Sequence, residues 1–186
     1  MSNMQRNVYH LSHKRNFESI ICRGLLSRNE LIAKKHHHED ISLRSVQNKR
    51  VRCLESSERP SRVNVNCYIH DFIPLFFRTR TPMLWAVKSK CLDLFFIEFD
   101  LDKLQTDPDI SFIFSDGNIA SEDSKIYSDS EWSKQNHKID WYKIDRYRWW
   151  PTRSEAGRQI SAEFLVYKTI PISYVKRIIV PTNYNQ

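Results

Sequence analysis

The most restrictive stretch of this chain is Phe164-Leu165-Val166, three apolar residues in a row entered through a single carboxylate, Glu163. A short apolar run of this kind reads as a buried strand, and the segment from Arg158 to Tyr167 is expected to contain one. The polar, glycine-containing sequence before it is expected to be a loop. Burying a charge is costly unless it is paired. Glu163 is therefore either a structural ion-pair partner or a functional group, and the stretch alone leaves both readings open.

Other segments supply the elements such a strand needs around it. Val8–Ser12 reads as a first strand. Lys14–Arg23 reads as a helix with Phe17, Ile20 and Ile21 on one face, stopped by Gly24. Ser27-x-x-Glu30 is a capping box for a second helix through Leu31 and Ile32. Phe72–Phe77 is a strand, and Pro74 within it argues for a sheet edge or a bulge. Thr81 and Pro82 suit the cap and first position of a helix running to about Lys90. Asp100 is expected to cap one helical turn to Leu104. Leu92–Phe99, Ile110–Phe114 and Lys176–Val180 read as further strands, and Ser121–Trp132 as a polar helix.

Residues 34–66 stand apart, with many arginines and few large apolar residues. Such a stretch builds little core, and a loop of that length is functional or mobile. It holds the run His36-His37-His38, read as solvated because no carboxylate or cysteine stands at a helical ligand spacing. The sum is one α+β domain over residues 1–186, with 34–66 as a long basic loop for a cofactor or substrate.

The net charge of +7 favours an anionic partner, although a solvated basic surface explains it equally well. Four scattered cysteines without a C-x-x-C pair suit a reducing compartment and give no zinc site. No apolar run approaches the roughly 18 residues that span a bilayer, and the polar N-terminus has no leader pattern. A cytoplasmic protein without membrane contact is expected.

Glycine-rich phosphate loops, serine elbows and H-E-x-x-H motifs are absent. What remains is dispersed: His10, the loop arginines, Phe76, Phe77 and Glu163. This set suits cleavage of the nicotinamide–ribose bond of NAD, which passes through an oxocarbenium-like ribose. A carboxylate steadies that charge and later takes a proton. Arginine matches a pyrophosphate, a histidine can hydrogen-bond a ribose hydroxyl, and aromatic rings can stack the nicotinamide. Core packing accounts for the aromatics as readily, and His10 beside Tyr9 could be a satisfied core histidine.

Seven stretches, in order, carry a family resemblance. They are Val8-Tyr9-His10-Leu11-Ser12-His13, Gly24-Leu25-Leu26-Ser27, Asn48-Lys49-Arg50-Val51-Arg52, and His70-Asp71-Phe72-Ile73-Pro74-Leu75-Phe76-Phe77. Arg80-Thr81-Pro82-Met83-Leu84, Ser115-Asp116-Gly117-Asn118-Ile119-Ala120 and Ala162-Glu163-Phe164-Leu165-Val166 follow. The chain resembles the DarT group of DNA ADP-ribosyltransferase toxins. The resemblance implies an ADP-ribosyltransferase-like fold of two small packed β-sheets with peripheral helices. It further implies NAD as co-substrate, no metal, and transfer of ADP-ribose to a base of single-stranded DNA. A toxin or phage-defence role and a macrodomain antitoxin belong to the same implication.

Carried over by position, Glu163 and Arg52 would be catalytic, with Arg50 as the second choice for holding the phosphates. His10, Ser12, Arg50, Phe76 and Phe77 would meet NAD. Ser161, Arg158, Arg153 and Arg148 would face DNA. The chain departs from the family in having Phe76 where tyrosine is frequent and Asn118 where histidine is frequent. Ser161 stands two residues before the glutamate, where glutamine is usual. An RNA or protein acceptor is therefore an alternative, and a nucleic-acid-binding module without catalysis is another. The alternating aromatics and basics of Trp141–Arg148 would suit stacking on bases or packing in the core, and Trp149 and Trp150 could plug that core.

Overall fold

A computed structural model of the chain describes residues 5–87, 93–148 and 154–180. Cys91, Trp149, Trp150, Arg153 and the end of the helix expected to reach Lys90 lie outside them. Seven antiparallel strands form one sheet: β1 (Asn7–His13), β3 (Phe72–Phe76), β4 (Leu94–Asp100), β5 (Phe112–Ser115), β6 (Ile126–Ser128), β7 (Glu163–Tyr167) and β9 (Val175–Ile179). Their order is β6-β5-β7-β3-β1-β4-β9, and β2 (Leu25–Leu26) pairs with β8 (Thr169–Ile170) in a separate ribbon. The α+β expectation holds, with the strands divided seven and two.

The apolar run of β7 has a direct cause. The strand lies between β5 and β3, and both its faces are covered. Phe164 and Val166 enter the main core with Ile73, Leu75, Phe112 and Phe114. Leu165 enters a smaller cluster on the other face with Phe72 and Ile113. Each such side chain removed from water contributes about 1.5–3 kcal/mol.

Short helices close the edges. Helix α1 (Phe17–Arg23) ends on Gly24, whose φ is +75° and ψ −176°. A Cβ there would stand 2.4 Å from the Ile170 carbonyl oxygen on β8, so only glycine lets the chain turn from α1 directly into β2. Ser27 then caps α2 (Arg28–Ala33) by accepting the Glu30 N–H. The other half of the expected capping box is replaced, because the Ser27 N–H donates to Lys168 O at 2.8 Å.

Four expectations need correction. Residues 34–66 carry helix α3 (Arg44–Lys49) and bury Ile41 and Leu54. Pro74 lies in the sheet interior: β3 pairs with β7 from Phe72 to Phe76 but meets β1 only at Tyr9↔Phe76. The missing N–H of Pro74 therefore falls on the side where β1 and β3 diverge, and no ladder bond is lost. Ser121–Trp132 is helical only from Asp129 on, and strand β6 precedes that turn, because buried Ile126, Tyr127 and Ser128 extend the sheet from β5.

Thr81 and Asp100 cap α4 (Pro82–Ala86) and α5 (Leu101–Thr106) by accepting backbone N–H groups, as expected. On α6 (Trp132–Gln135), Trp132 meets Phe112, Phe114 and Phe164 edge-on. Helix α7 (Trp141–Arg146) is capped by Asp140. The polar sequence before Glu163, expected to be a loop, holds α8 (Glu155–Gln159), capped by Ser154.

Candidate active site

One row of residues crosses five strands: Glu163, Phe76, Tyr9, Glu98 and Arg177 are successive register partners. On this face the apolar packing breaks into two separate clusters, one around Phe72 and Leu165, the other around Leu11 and Phe96. Arg50, at the C-terminal end of α3, reaches Glu163. Its Nη2 donates to Glu163 Oε2 at 2.5 Å, and the side chains are 10% and 1% exposed. The Ile119 N–H donates to Oε1 at 3.3 Å. Below the carboxylate, the Glu163 N–H donates to Ser115 Oγ, which itself donates to Gly117 O. A charge-assisted bond with a backbone donor opposite it fixes both carboxylate oxygens.

Arg50 reaches that position because the segment before it is strapped down. Asn16 Nδ2 donates to Glu39 O at 2.9 Å, and Glu39 N–H donates back to Asn16 Oδ1. Asp40 pairs with Arg28 and accepts from the Ser42 N–H. Gln47 donates to Ser42 Oγ and accepts from His70 Nε2, the latter at 2.7 Å. Burial, with the charges of Arg28 and Arg50 behind it, lowers the His70 pKa, which favours the neutral ring that donates to Gln47.

Under this strap lies a cavity of about 180 Å³ whose lining includes His10, Ser12, Arg50, His70, Pro74 and Met83. It opens where β1 and β3 diverge. His10 and Ser12 alternate with Leu11 and share the sheet side of Val8, whereas Glu163 takes the opposite side; the gap between the strands joins the two. Desolvation lowers the His10 pKa against a weaker opposing bond to Pro74. The neutral ring donates from Nδ1 to Pro74 O at 3.0 Å, leaving Nε2 as an acceptor. Ser12 Oγ accepts from Asn16 and keeps its own proton to donate. Arg50 Nε is buried without a hydrogen-bond partner among the described residues, and Arg50 both lines the cavity and bonds Glu163. Across α3 an open groove of about 350 Å³ is lined by Ser45, Val46, Lys49, Asn118, Ala120 and Ser121. Among the described residues no three His, Cys, Asp or Glu side chains are grouped to hold a metal, and no helix is long and apolar enough to cross a membrane.

The profile of a family described as "DarT: ssDNA thymidine ADP-ribosyltransferase, DarT" matches residues 9–186. The chain belongs to the DarT family. Among curated relatives, a DNA ADP-ribosyl transferase–DNA ADP-ribosyl glycohydrolase fusion protein of Thermosipho africanus is 27% identical, covering 94% of this chain and 42% of its own length. A DNA ADP-ribosyl transferase of a Thermus species is 26% identical, covering 93% of this chain and 80% of its own. This chain thus spans under half of the fusion protein and four-fifths of the Thermus one. The fold matches Thermosipho africanus DarTG in complex with ADP-ribose at a TM-score of 0.77, with 25% identity over 96% of this chain and 44% of that one. It also matches Thermus DarT in complex with ADP-ribosylated single-stranded DNA at 0.76, with 21% identity over 94% and 80%.

In this DarT-family chain several residues expected at the site stand elsewhere. Arg52 points outward to Glu58 and is 47% exposed; Arg50 takes the place beside Glu163, because the last turn of α3 aims it inward. Phe77 packs in the main core edge-on to Trp141, since strand alternation turns it away from Glu163. Phe76 is on the Glu163 side. Ser161 is 4% exposed and donates to Gly157 O at 2.8 Å, closing α8. Arg158 is held by Glu155, Asp116 and Ser124; its bond to Glu155 raises its pKa further. Both brace the loop beside Glu163 from within. Arg148 is exposed on the outer surface. Cys22, Cys53 and Cys67 are free thiols, and burial pushes Cys67 up to about 11.

Sequence reasoning missed Gln47, His70, Asn16 and the Ile119 amide. His70 lies in one of the family-like stretches and could have been singled out. A backbone donor such as Ile119 N–H has no side-chain signature at all.

Proposed function

We propose that this chain is an NAD-dependent ADP-ribosyltransferase that modifies a base of single-stranded DNA, with residues 1–186 as one transferase domain and 34–66 as its cofactor and substrate loop. The observation that carries this reading is the buried Arg50–Glu163 pair beside a cavity that also holds His10. NAD enters the cavity, and His10 Nε2 accepts from a hydroxyl of the nicotinamide ribose. The free Nε of Arg50 draws that guanidinium to the pyrophosphate, which uncovers Glu163. The C1′–N bond to nicotinamide breaks and its electron pair leaves with the pyridine. Glu163 steadies the positive charge left on the ribose. A ring nitrogen of the acceptor then supplies the electron pair of the new C1′–N bond and passes its proton to Glu163. The thymidine of the family description has one such N–H, at N3.

The acceptor approaches through the groove beside Lys49 and Asn118. A base must leave its stack to reach such a site, which favours single strands. This chemistry harms its own cell. A toxin role in the cytoplasm, reversed by a macrodomain-type hydrolase, follows from that and is supported by the glycohydrolase fused in the Thermosipho relative.

Incubation with labelled NAD and DNA oligonucleotides tests the reading. Label is expected on single strands, much less on duplexes, and none with Glu163→Ala. Label confined to RNA or protein would overturn the acceptor, and absence of NAD turnover would overturn the enzyme.

A further inference from the structure

Helix α7 has two unlike faces. Its inner face is fully engaged. Ile144 is buried, and Trp141 packs on Phe77 with the Arg6 guanidinium 4.0 Å from its ring centre. Both acids of the segment are neutralised internally: Asp145 by a two-pronged bond from Arg6, and Asp140 by Lys143. The outer face keeps the opposite charge. Arg146 and Arg148 are exposed and make no hydrogen bond or ion pair among the described residues. Tyr142 is 70% exposed and meets Tyr147 edge-on at 6.4 Å. Tyr142 and Arg146 are four residues apart, on one side of the helix.

A further cation stands at the same end. Arg78 donates to the carbonyls of Lys143 and Ile144. Arg80 follows Arg78 by two residues in the chain, which carries it past the residue anchored on the C-terminal turn of α7. Arg80 is exposed.

This face is continuous with the catalytic edge. Lys143 Nζ donates to Gln159 Oε1 on α8 at 2.5 Å. The Arg158 carbonyl of α8 accepts from the Asn118 N–H, in the loop that borders the groove. α8 therefore bridges α7 to the loop that borders the groove.

We infer that the outer face of α7, with Arg80, is a second contact surface for the acceptor strand, where a base flanking the target stacks on Tyr142 and nearby phosphates pair with Arg146, Arg148 and Arg80. The surface rests on the reading of the acceptor as single-stranded DNA. An exposed ring favours unpaired bases, whose faces are free, over a duplex, whose faces are covered. The uncompensated arginines supply the backbone attraction that single-strand sites require.

Initial rates test it with wild type, Tyr142→Ala, Tyr142→Phe and an Arg146→Gln/Arg148→Gln double variant. Each meets an acceptor of roughly four nucleotides and one of about fifteen, across a salt series. On the long acceptor, KM is expected to rise roughly tenfold in Tyr142→Ala, with kcat held, and to return in Tyr142→Phe, which keeps the ring. In the double variant the slope of log KM against log salt falls by about 1.4, or about 0.7 for each phosphate no longer neutralised. On the short acceptor the variants match wild type. Unchanged KM and salt slope on the long acceptor overturn the surface, and so does an equal rise on both acceptors, which marks a defect at the target site. A wild type that labels neither acceptor brings down the functional reading itself, and this surface with it.

Discussion

Two glutamates, Glu163 and Glu98, lie on the same side of the same sheet, each about 1% exposed and each bonded to an arginine. Sequence position, burial and pairing do not separate them. Their arginines do. Arg177 sits on the edge strand with 64% of its side chain exposed, and Lys176 stands 3.9 Å from Glu98 as a second cation. Arg50 is nearly enclosed, belongs to a segment strapped down by polar contacts, and lines a cavity. Arg177 can leave Glu98 only for solvent, and Lys176 stays beside the carboxylate when it does. Arg50, by contrast, has the cavity beside it as well as Glu163. A buried ion pair becomes a candidate catalytic group only when its cation has another place to go.

The largest test of this contrast is a pair of isosteric changes. Glu163→Gln should lower ADP-ribose transfer by about 10²–10⁴-fold, whereas Glu98→Gln should leave the rate within about threefold and cost roughly 1–3 kcal/mol of stability, read by transfer assays and denaturant melts. Comparable losses of transfer in two well-folded variants would erase the distinction.

Next come the loop arginines. Arg50→Ala strands a buried carboxylate, with an expected cost on the order of 3–5 kcal/mol, and raises the KM for NAD. Arg52→Ala removes a half-exposed pair and should stay within about 0.5 kcal/mol of wild type; calorimetric melts and NAD titrations read both.

A smaller effect belongs to the strap. His70→Ala removes the bond that holds Gln47, and the KM for NAD should rise roughly tenfold, the equivalent of one buried hydrogen bond. Gln47→Ala in the same background should add little, because the two groups act as one unit.

Last is pH. The folded pKa of His10 lies below its unfolded value, so the neutral ring favours the fold fully above about pH 6.5 and that contribution is lost as pH falls towards the folded pKa. The Nε2 acceptor disappears with it. The KM for NAD should rise on the acid side, and His10→Gln, which keeps an acceptor, should flatten that limb of the profile.

Much of this was legible in the residues. The β7 run, the β1 strand, the Thr81 and Asp100 caps and the Gly24 turn all rest on local chemistry that the sequence displays. Glu163 and His10 stood out because a carboxylate and an imidazole are unusual beside apolar strands. The choice between Arg50 and Arg52 was not legible: the two differ only in which way the end of α3 points, and tertiary contacts of Gln47 set that direction. Strand β6 escaped because three residues give no measurable period. The interior place of Pro74 escaped because a proline normally excludes itself from a ladder, and no pattern announces that the ladder is open at that point.

That opening has a further meaning. With no amide hydrogen at 74, β3 offers β1 a lone carbonyl, and His10 takes it. A single absent proton thus stops two neighbouring strands from zipping together, and the breach becomes a doorway. Any other amino acid at 74 would restore the means of sealing it, so the size of the opening can be tuned from a position that never touches the reacting bond.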